Sequence, residues 1–208
     1  GANIASTLGF TGQAPMGSPD RIVGNEISVA TVILDGGGGI DHLIGSPGND
    51  FIFGGTGNDI LRGSGGYDTI GAVRDLDMTL RSGTLEFGDG EMDTHESFEA
   101  ALLTGGAGIN RIDTSNFDGP ARIDGGGGGD TLLGGPHNDV FGVSSEGLET
   151  PGAVQVDVGD GTQNSVVLSG TSSGLTQSLV DLVTVAGAGD RTLVWTGNGD
   201  DHLTVDQD

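Results

Sequence analysis

An all-β coiled solenoid is the fold this sequence predicts, and three observations predict it. Residues 36–71 divide into four consecutive nine-residue units, GGGGIDHLI, GSPGNDFIF, GGTGNDILR and GSGGYDTIG. Each unit has Gly first and fourth, Asp sixth (Asp41, Asp50, Asp59, Asp68) and an aliphatic residue eighth (Leu43, Ile52, Leu61, Ile70). The block then recurs 89 residues on, where Ile123–Leu132 echoes Leu34–Leu43 and Gly134–Asp139 echoes Gly45–Asp50. A fixed nine-residue period marks a coil in which every unit is one turn plus one short strand.

The elements follow in chain order. Asp20-Arg21-Ile22 leads toward the first cluster much as Asn110-Arg111-Ile112 leads toward the second. Beyond residue 71 the pattern decays but strand material persists. Val73–Leu80 alternates partly like a half-buried strand, and Leu85-Glu86-Phe87 is another candidate before the turn at Gly88-Asp89-Gly90. Met92–Leu103 reads either as a short helix, with Phe98, Ala101 and Leu102 on one face, or as one more solenoid strand at Ala100–Leu103. The register favours the strand. The second cluster spans 105–142, with Thr114 and Ser115 as extra residues in its spacing. From 144 to 208, strand-like runs at Val154–Val158, Ser165–Leu168, Leu179–Val185 and Thr192–Trp195 are punctuated by Gly, Ser and Thr. The organisation predicted is a solenoid over 1–143 and a degenerate continuation or β-rich cap over 144–208.

Composition narrows the function. Forty-three of the 208 residues are Gly, which by itself would suit a disordered chain. Disorder has no reason to keep Asp and an aliphatic residue at fixed distances after Gly, so the register argues for a fold. Thirty acidic residues against seven basic ones give a net charge of −23, and all seven basic residues are Arg. Nucleic acid and anionic membrane surfaces need clustered cations and are excluded as partners. Without Lys there is no Schiff-base or phosphate-loop chemistry, and without Cys no disulfide or thiolate site. No apolar stretch is long enough for membrane insertion.

Catalytic patterns are missing too, and the chain is read as non-enzymatic. There is no G-x-S-x-G elbow, phosphate loop or dinucleotide fingerprint. His95-Glu96 begins like a zinc-protease helix but lacks the second His. Asp75-x-Asp77 begins like an EF-hand and fails at Leu80, where Gly is needed. His42 and His202, in the seventh place of their units, are read as solvated surface.

The units match the pattern G-G-x-G-x-D-x-U-x and resemble the RTX (repeats-in-toxin, haemolysin-type) calcium-binding family. The resemblance implies a right-handed parallel β-roll whose Gly–Asp turns bind Ca²⁺. That ion wants six to eight oxygens; the turns would expose carbonyls, the sixth-place Asp would add a carboxylate, and a second stacked turn would complete the shell. Units two apart would stack, so the unit of Asp41 faces that of Asp59, and Asp50's faces Asp68's. Carried over by position, the carbonyl ligands are those of Gly36 and Gly38 with Gly55 and Gly57, and of Gly45 and Pro47 with Ser64 and Gly66. Asp130 would face a unit whose sixth place is Asn110, and Asp139 one whose sixth place is Ala121, both giving weaker sites. Gly197–Leu203 recovers the signature with Asp201.

The function expected is that of a calcium-binding structural module which folds on taking up Ca²⁺, in a secreted or cell-surface protein. Asp208 ends mid-pattern, so the chain is expected to be part of a larger polypeptide. Two alternatives stand beside this reading. One is a C-terminal RTX accessory domain of a secreted enzyme (lipase, protease or polysaccharide-modifying enzyme). The other is a surface-layer or adhesin repeat, which the 89-residue duplication favours.

Overall fold

The computed structural model describes residues 11–13, 19–24, 31–144, 154–161, 163–169, 183–186 and 190–196. Every regular element among them is a strand, and the strands, numbered along the chain, form two sheets. The first sheet runs β1 (Thr11–Gln13), β3 (Ile33–Asp35), β5 (Phe51–Phe53), β7 (Thr69–Val73), β11 (Ala100–Thr104), β13 (Ala121–Asp124), β15 (Val140–Ser144), β17 (Gln163–Ser169) and β19 (Asp190–Thr196). All its neighbours are parallel. The second runs β2 (Arg21–Val23), β4 (His42–Ile44), β6 (Ile60–Arg62), β10 (Met92–Glu96), β9 (Thr84–Phe87), β8 (Met78–Arg81), β12 (Arg111–Asn116), β14 (Thr131–Leu133), β16 (Val154–Asp157) and β18 (Val183–Ala186). Outside β8–β10 the chain alternates between sheets, one strand per visit, which makes it a parallel β-solenoid.

The nine-residue unit sets this geometry. Two units make a coil, so Leu34 pairs with Ile52 and Leu43 with Leu61, eighteen residues on. The three-residue strands place the eighth residue inward, flanked by outward neighbours, and the inward residues stack coil on coil. Leu34, Leu43, Ile52, Leu61 and Ile70 are at most 1% exposed. In the first sheet Ile70 is followed by Ala101 and Ala121, and a second buried file runs beside it through Ala72, Leu103, Ile123 and Phe141; in the second sheet Met78, Ile112 and Leu132 stack in turn. Burying each such Leu, Ile, Met or Phe side chain contributes about 1.5–3 kcal/mol. The 89-residue echo preserves sheet as well as sequence, since β3, β4 and β5 correspond to β13, β14 and β15.

Between the two blocks lies a feature the sequence did not announce. Strands β8, β9 and β10 form an antiparallel meander inside the otherwise parallel second sheet. After β7 the chain runs ahead to pair β8 with β12, then steps back through β9 to pair β10 with β6. The single alternating strand expected at Val73–Leu80 is therefore two strands split by a bend, because β7 ends at Val73 and β8 starts at Met78. The candidate at Leu85-Glu86-Phe87 is β9. Met92–Leu103 holds β10 and β11 and no helix, as its register favoured. The extra residues Thr114 and Ser115 fall where β12 shifts register against β8, a bulge that absorbs them.

His95 stands opposite a core leucine. It pairs with Leu61 and so holds the inward, eighth-place position of its coil. Its Nε2 meets the Arg81 carbonyl at 2.8 Å, and its ring packs edge-on against Phe98 and Phe117. Burial lowers its pKa, which keeps the ring neutral in this apolar setting.

Candidate metal centre

The sixth-place residues line up along the two seams where Gly-rich turns join the sheets. In the first seam Asp20, Asp41, Asp59 and Asp93 succeed one another. The backbone N–H of Asp20 donates to Asp41 Oδ1 at 2.7 Å, that of Asp41 to Asp59 Oδ1 at 2.8 Å, and that of Asp59 to Asp93 Oδ1 at 2.9 Å. In the second seam the N–H of Val32 donates to Asp50 Oδ1 and that of Asp50 to Asp68 Oδ1, both at 2.8 Å. The N–H of Asp68 donates to Glu99 Oε2. Units two apart are thus stacked, Asp41 on Asp59 and Asp50 on Asp68.

The second block keeps the arrangement. The N–H of Asn110 donates to Asp130 Oδ1 at 2.9 Å and that of Ala121 to Asp139 Oδ1 at 2.7 Å, the two pairings the resemblance implied. Asn164 adds a further step, accepting from the N–H of Asp139. Asp201 lies outside the described residues.

The second carboxylate oxygen turns inward over the first-place glycine of its own unit. A side-chain carbon on Gly36 would collide with Asp41 Oδ2 and with the Gly54 carbonyl oxygen. The same cradle recurs at Gly45, between Asp50 Oδ2 and the Gly63 carbonyl, and at Gly134, between Asp139 Oδ2 and the Val158 carbonyl. The first-place glycine is therefore a steric requirement. The second place has a different one, because Gly37, Gly55 and Gly126 adopt φ of 81°, 99° and 81°. Ser64 stands at this place with φ of 88°, a left-handed conformation costing a non-Gly residue roughly 1–2 kcal/mol. Ser64→Gly is expected to stabilise the fold by up to about 1 kcal/mol after the added chain entropy of Gly, measured as a rise in thermal midpoint.

The two seams differ in how well their carboxylates are satisfied. Asp50 receives the Ser46 N–H on Oδ2 and the Ser46 hydroxyl on Oδ1, and Asp139 Oδ2 receives the Gly135 N–H. Asp41 Oδ2 and Asp59 Oδ2 are buried and have no hydrogen-bond partner, as does Asp20 Oδ2. A buried oxygen left this way carries a desolvation penalty of about 1–3 kcal/mol, more if charged. Burial raises the pKa of Asp41 and takes Asp59, Asp68 and Asp130 to about 6 and Asp93 to about 7. Neighbouring carboxylates push the same way: Asp20 and Asp35 on Asp41, Asp41 and Glu91 on Asp59, Asp59 and Glu91 on Asp93.

Among the described residues no three His, Asp or Glu side chains converge on one point. A cation here would take main-chain oxygens for much of its shell, which suits a hard ion. The turns bond to one another through the Gly37 carbonyl, which accepts from Thr56 N–H, and the Thr56 carbonyl, which accepts from Gly39 N–H. Of the carbonyls assigned by position, Gly55's accepts from Arg74 Nη1 at 2.7 Å and Gly45's from Ser64 Oγ at 3.3 Å. Unsatisfied carboxylate oxygens, a cradle closed by a carbonyl and an all-oxygen donor set fit a bound Ca²⁺. The fit is better at Asp41 and Asp59 than at Asp50 and Asp139.

The sequence reading missed Asp20, Asp93 and Glu99, which extend the seams. Asp20 had a signal in its likeness to the Asn110 segment. Asp93 had a partial one, with Gly88 in the first place and Asp93 in the sixth of residues 88–96, but Glu91 and His95 break the fourth and eighth places; Glu99 had none. The family model of the RTX calcium-binding nonapeptide repeat matches the chain at residues 35–70 and 115–142, in four copies. No curated protein matches the chain.

Proposed function

This chain carries RTX calcium-binding nonapeptide repeats, and from that premise we propose that it is a calcium-dependent structural module of a secreted or cell-surface protein. Ion uptake and winding of the solenoid are coupled in it. The observation that carries the reading is the pair of buried, unpartnered oxygens of Asp41 and Asp59, stacked eighteen residues apart in a chain of net charge −23. Each coil brings one more carboxylate onto the seam, so closing the stack concentrates like charge. A bound Ca²⁺ supplies the compensating charge and accepts the oxygens that no N–H reaches.

The residues proposed to hold it are Asp41 and Asp59 with the carbonyls of Gly36, Gly38, Gly55 and Gly57. A second set is Asp50 and Asp68 with Gly45, Pro47, Ser64 and Gly66. Asp130 with Asn110, and Asp139, are proposed as weaker sites, because Asn110 and Ala121 contribute no charge. Extracellular calcium modules bind at ~10⁻⁴–10⁻³ M, which agrees with a protein that meets millimolar calcium only outside the cell. At calcium about 100 times the dissociation constant, each site adds roughly 2.7 kcal/mol to stability.

The test is a calcium titration followed by circular dichroism. Asp59→Ala is expected to move the midpoint to clearly higher calcium. Asp50→Ala should move it less, because Ser46 already satisfies Asp50. Identical spectra of the parent chain in chelator and in calcium would remove the reading.

A further inference from the structure

The step above Gly54 is built unlike the others. At Gly36, Gly45 and Gly63 the cradle is closed by one carboxylate oxygen and one main-chain carbonyl from the next coil, that of Gly54, Gly63 and Ser97 respectively. The coil that follows Gly54 contains the meander and brings no glycine turn to this point. A carboxylate stands in place of the carbonyl. A side-chain carbon on Gly54 would lie 2.5 Å from Asp59 Oδ2 and 2.9 Å from Asp93 Oδ2.

Both residues are 1% exposed, and Asp59 Oδ2 points into this gap with no hydrogen-bond partner. The remaining oxygens are already committed, Asp59 Oδ1 to Asp41 N–H and Asp93 Oδ1 to Asp59 N–H. Two buried carboxylate oxygens therefore converge on one small space. Resting on the calcium reading of the repeats, we infer that Asp59 and Asp93 form a further Ca²⁺ site in this seam, completed by a residue outside the matched repeats, and that it is the tightest in the chain. Here both carboxylates turn an Oδ2 to the same space, whereas at Gly36 Asp41 Oδ2 meets a carbonyl and Asp59 offers only the Oδ1 that Asp41 N–H already holds; more ligand charge at one point raises calcium affinity.

Arg74 is the cation nearest this space, and its bonds go elsewhere. Its Nη1 donates to the Gly55 carbonyl, its Nη2 reaches Asp89 and Glu91 at 3.0 Å each, and its guanidinium lies 4.7 Å from the centre of the Phe87 ring. It neutralises the outer acids Asp89 and Glu91. Its charge lowers the pKa of both inner carboxyls, but burial outweighs it and both stay raised.

The experiment is calorimetric titration of the whole chain with calcium chloride, comparing the parent with Asp93→Asn, Asp41→Asn and Arg74→Gln. Asp93→Asn is expected to lose the tightest step, weakening it at least about tenfold, the lower range seen even for outer-shell partners of a metal. Asp41→Asn should keep that step. An Asp93→Asn chain that titrates like the parent overturns the inference and leaves the repeat sites standing. So does an Arg74→Gln chain that gains an ion, because Arg74 would then have been the counter-charge. If Asp93→Asn does not fold, the triple variant Asp41→Asn, Asp50→Asn, Asp68→Asn takes its place. That variant retains Asp59 and Asp93 and should bind one ion in the high-affinity range, and binding none would overturn the assignment. A parent that takes up no calcium removes both readings together.

Discussion

In chelator at neutral pH the chain is expected to lose most of its β circular-dichroism signal, and to regain it on acidification to about pH 4 as readily as on adding calcium. The sign follows from the raised carboxyls. Asp59, Asp68 and Asp130 sit at about 6 and Asp93 at about 7 in the folded chain, against an ordinary value of 3.8. A raised acid binds protons more tightly folded than unfolded, so its stabilising contribution is complete below the unfolded value. It is lost as pH climbs through the folded one. The window therefore runs from about pH 4 to about pH 7. A two-unit shift corresponds to roughly 2.7 kcal/mol, large against a total stability of about 5–15 kcal/mol. Acid also reduces the overall repulsion of a chain with thirty carboxyls. Asp113 runs the other way. Burial raises its pKa, but bonds from Ser115 and the charge of Arg111 outweigh that and lower it, so its contribution is lost in acid. His95 opposes as well, since burial lowers its pKa and the unfolded chain takes that proton more readily. Two opposing groups do not reverse four. With calcium present the trend should invert, because protons then compete with the ion for the same oxygens. A β signal in chelator that only falls on acidification would contradict the seam electrostatics.

Gly55→Ala is expected to destabilise the calcium-loaded chain by about 2–5 kcal/mol, while Gly65→Ala, ten residues on, should be neutral or stabilising. Gly55 holds φ of 99°, and a Cβ there would strike the Gly37 carbonyl oxygen in the stacked turn. The left-handed conformation costs Ala about 1–2 kcal/mol. Displacing that oxygen also breaks its bond from Thr56 N–H, worth about 0.5–1.5 kcal/mol, and forcing the stacked turns apart adds a packing cost of about 1–3 kcal/mol. Gly65 has no heavy atom within 4 Å of its would-be Cβ and no left-handed φ, so Ala there only reduces unfolded-state freedom, a gain of about 0.4–1 kcal/mol. Urea midpoints of the two variants at saturating calcium measure the difference. Equal losses would mean that glycine content and not turn geometry sets stability.

Much of the solenoid could be read from its period, because one residue type recurred at each place that the geometry constrains. Leu43, Ile52, Leu61 and Ile70 lie in the core because their spacing leaves them no other face. The pairings of Asp41 with Asp59 and Asn110 with Asp130 were those the RTX resemblance implied, with units two apart stacked. What escaped was whatever abandons the glycine turn while keeping the seam. Asp93 and His95 hold sixth- and eighth-place positions in a strand reached through an antiparallel detour, where only Gly88 and Asp93 keep the phase and the fourth-place Gly and eighth-place aliphatic are lost. The difference between Asp50 and Asp59 was hidden as well. It depends on the Ser46 N–H reaching Asp50 Oδ2, with the Ser46 hydroxyl added on Oδ1, and sequence alone treats that position as a minor loss of consensus.

The antiparallel detour has a consequence for how the chain acquires order. Every ordinary coil must first bring together segments eighteen or more residues apart, whereas β8, β9 and β10 are joined by turns of a few residues. Short closures sacrifice less chain entropy, and contacts between near neighbours in sequence form soonest. A linear stack grows by adding neighbours to an existing segment. The hairpins therefore act as a central seed, from which coiling spreads in both directions along the molecule.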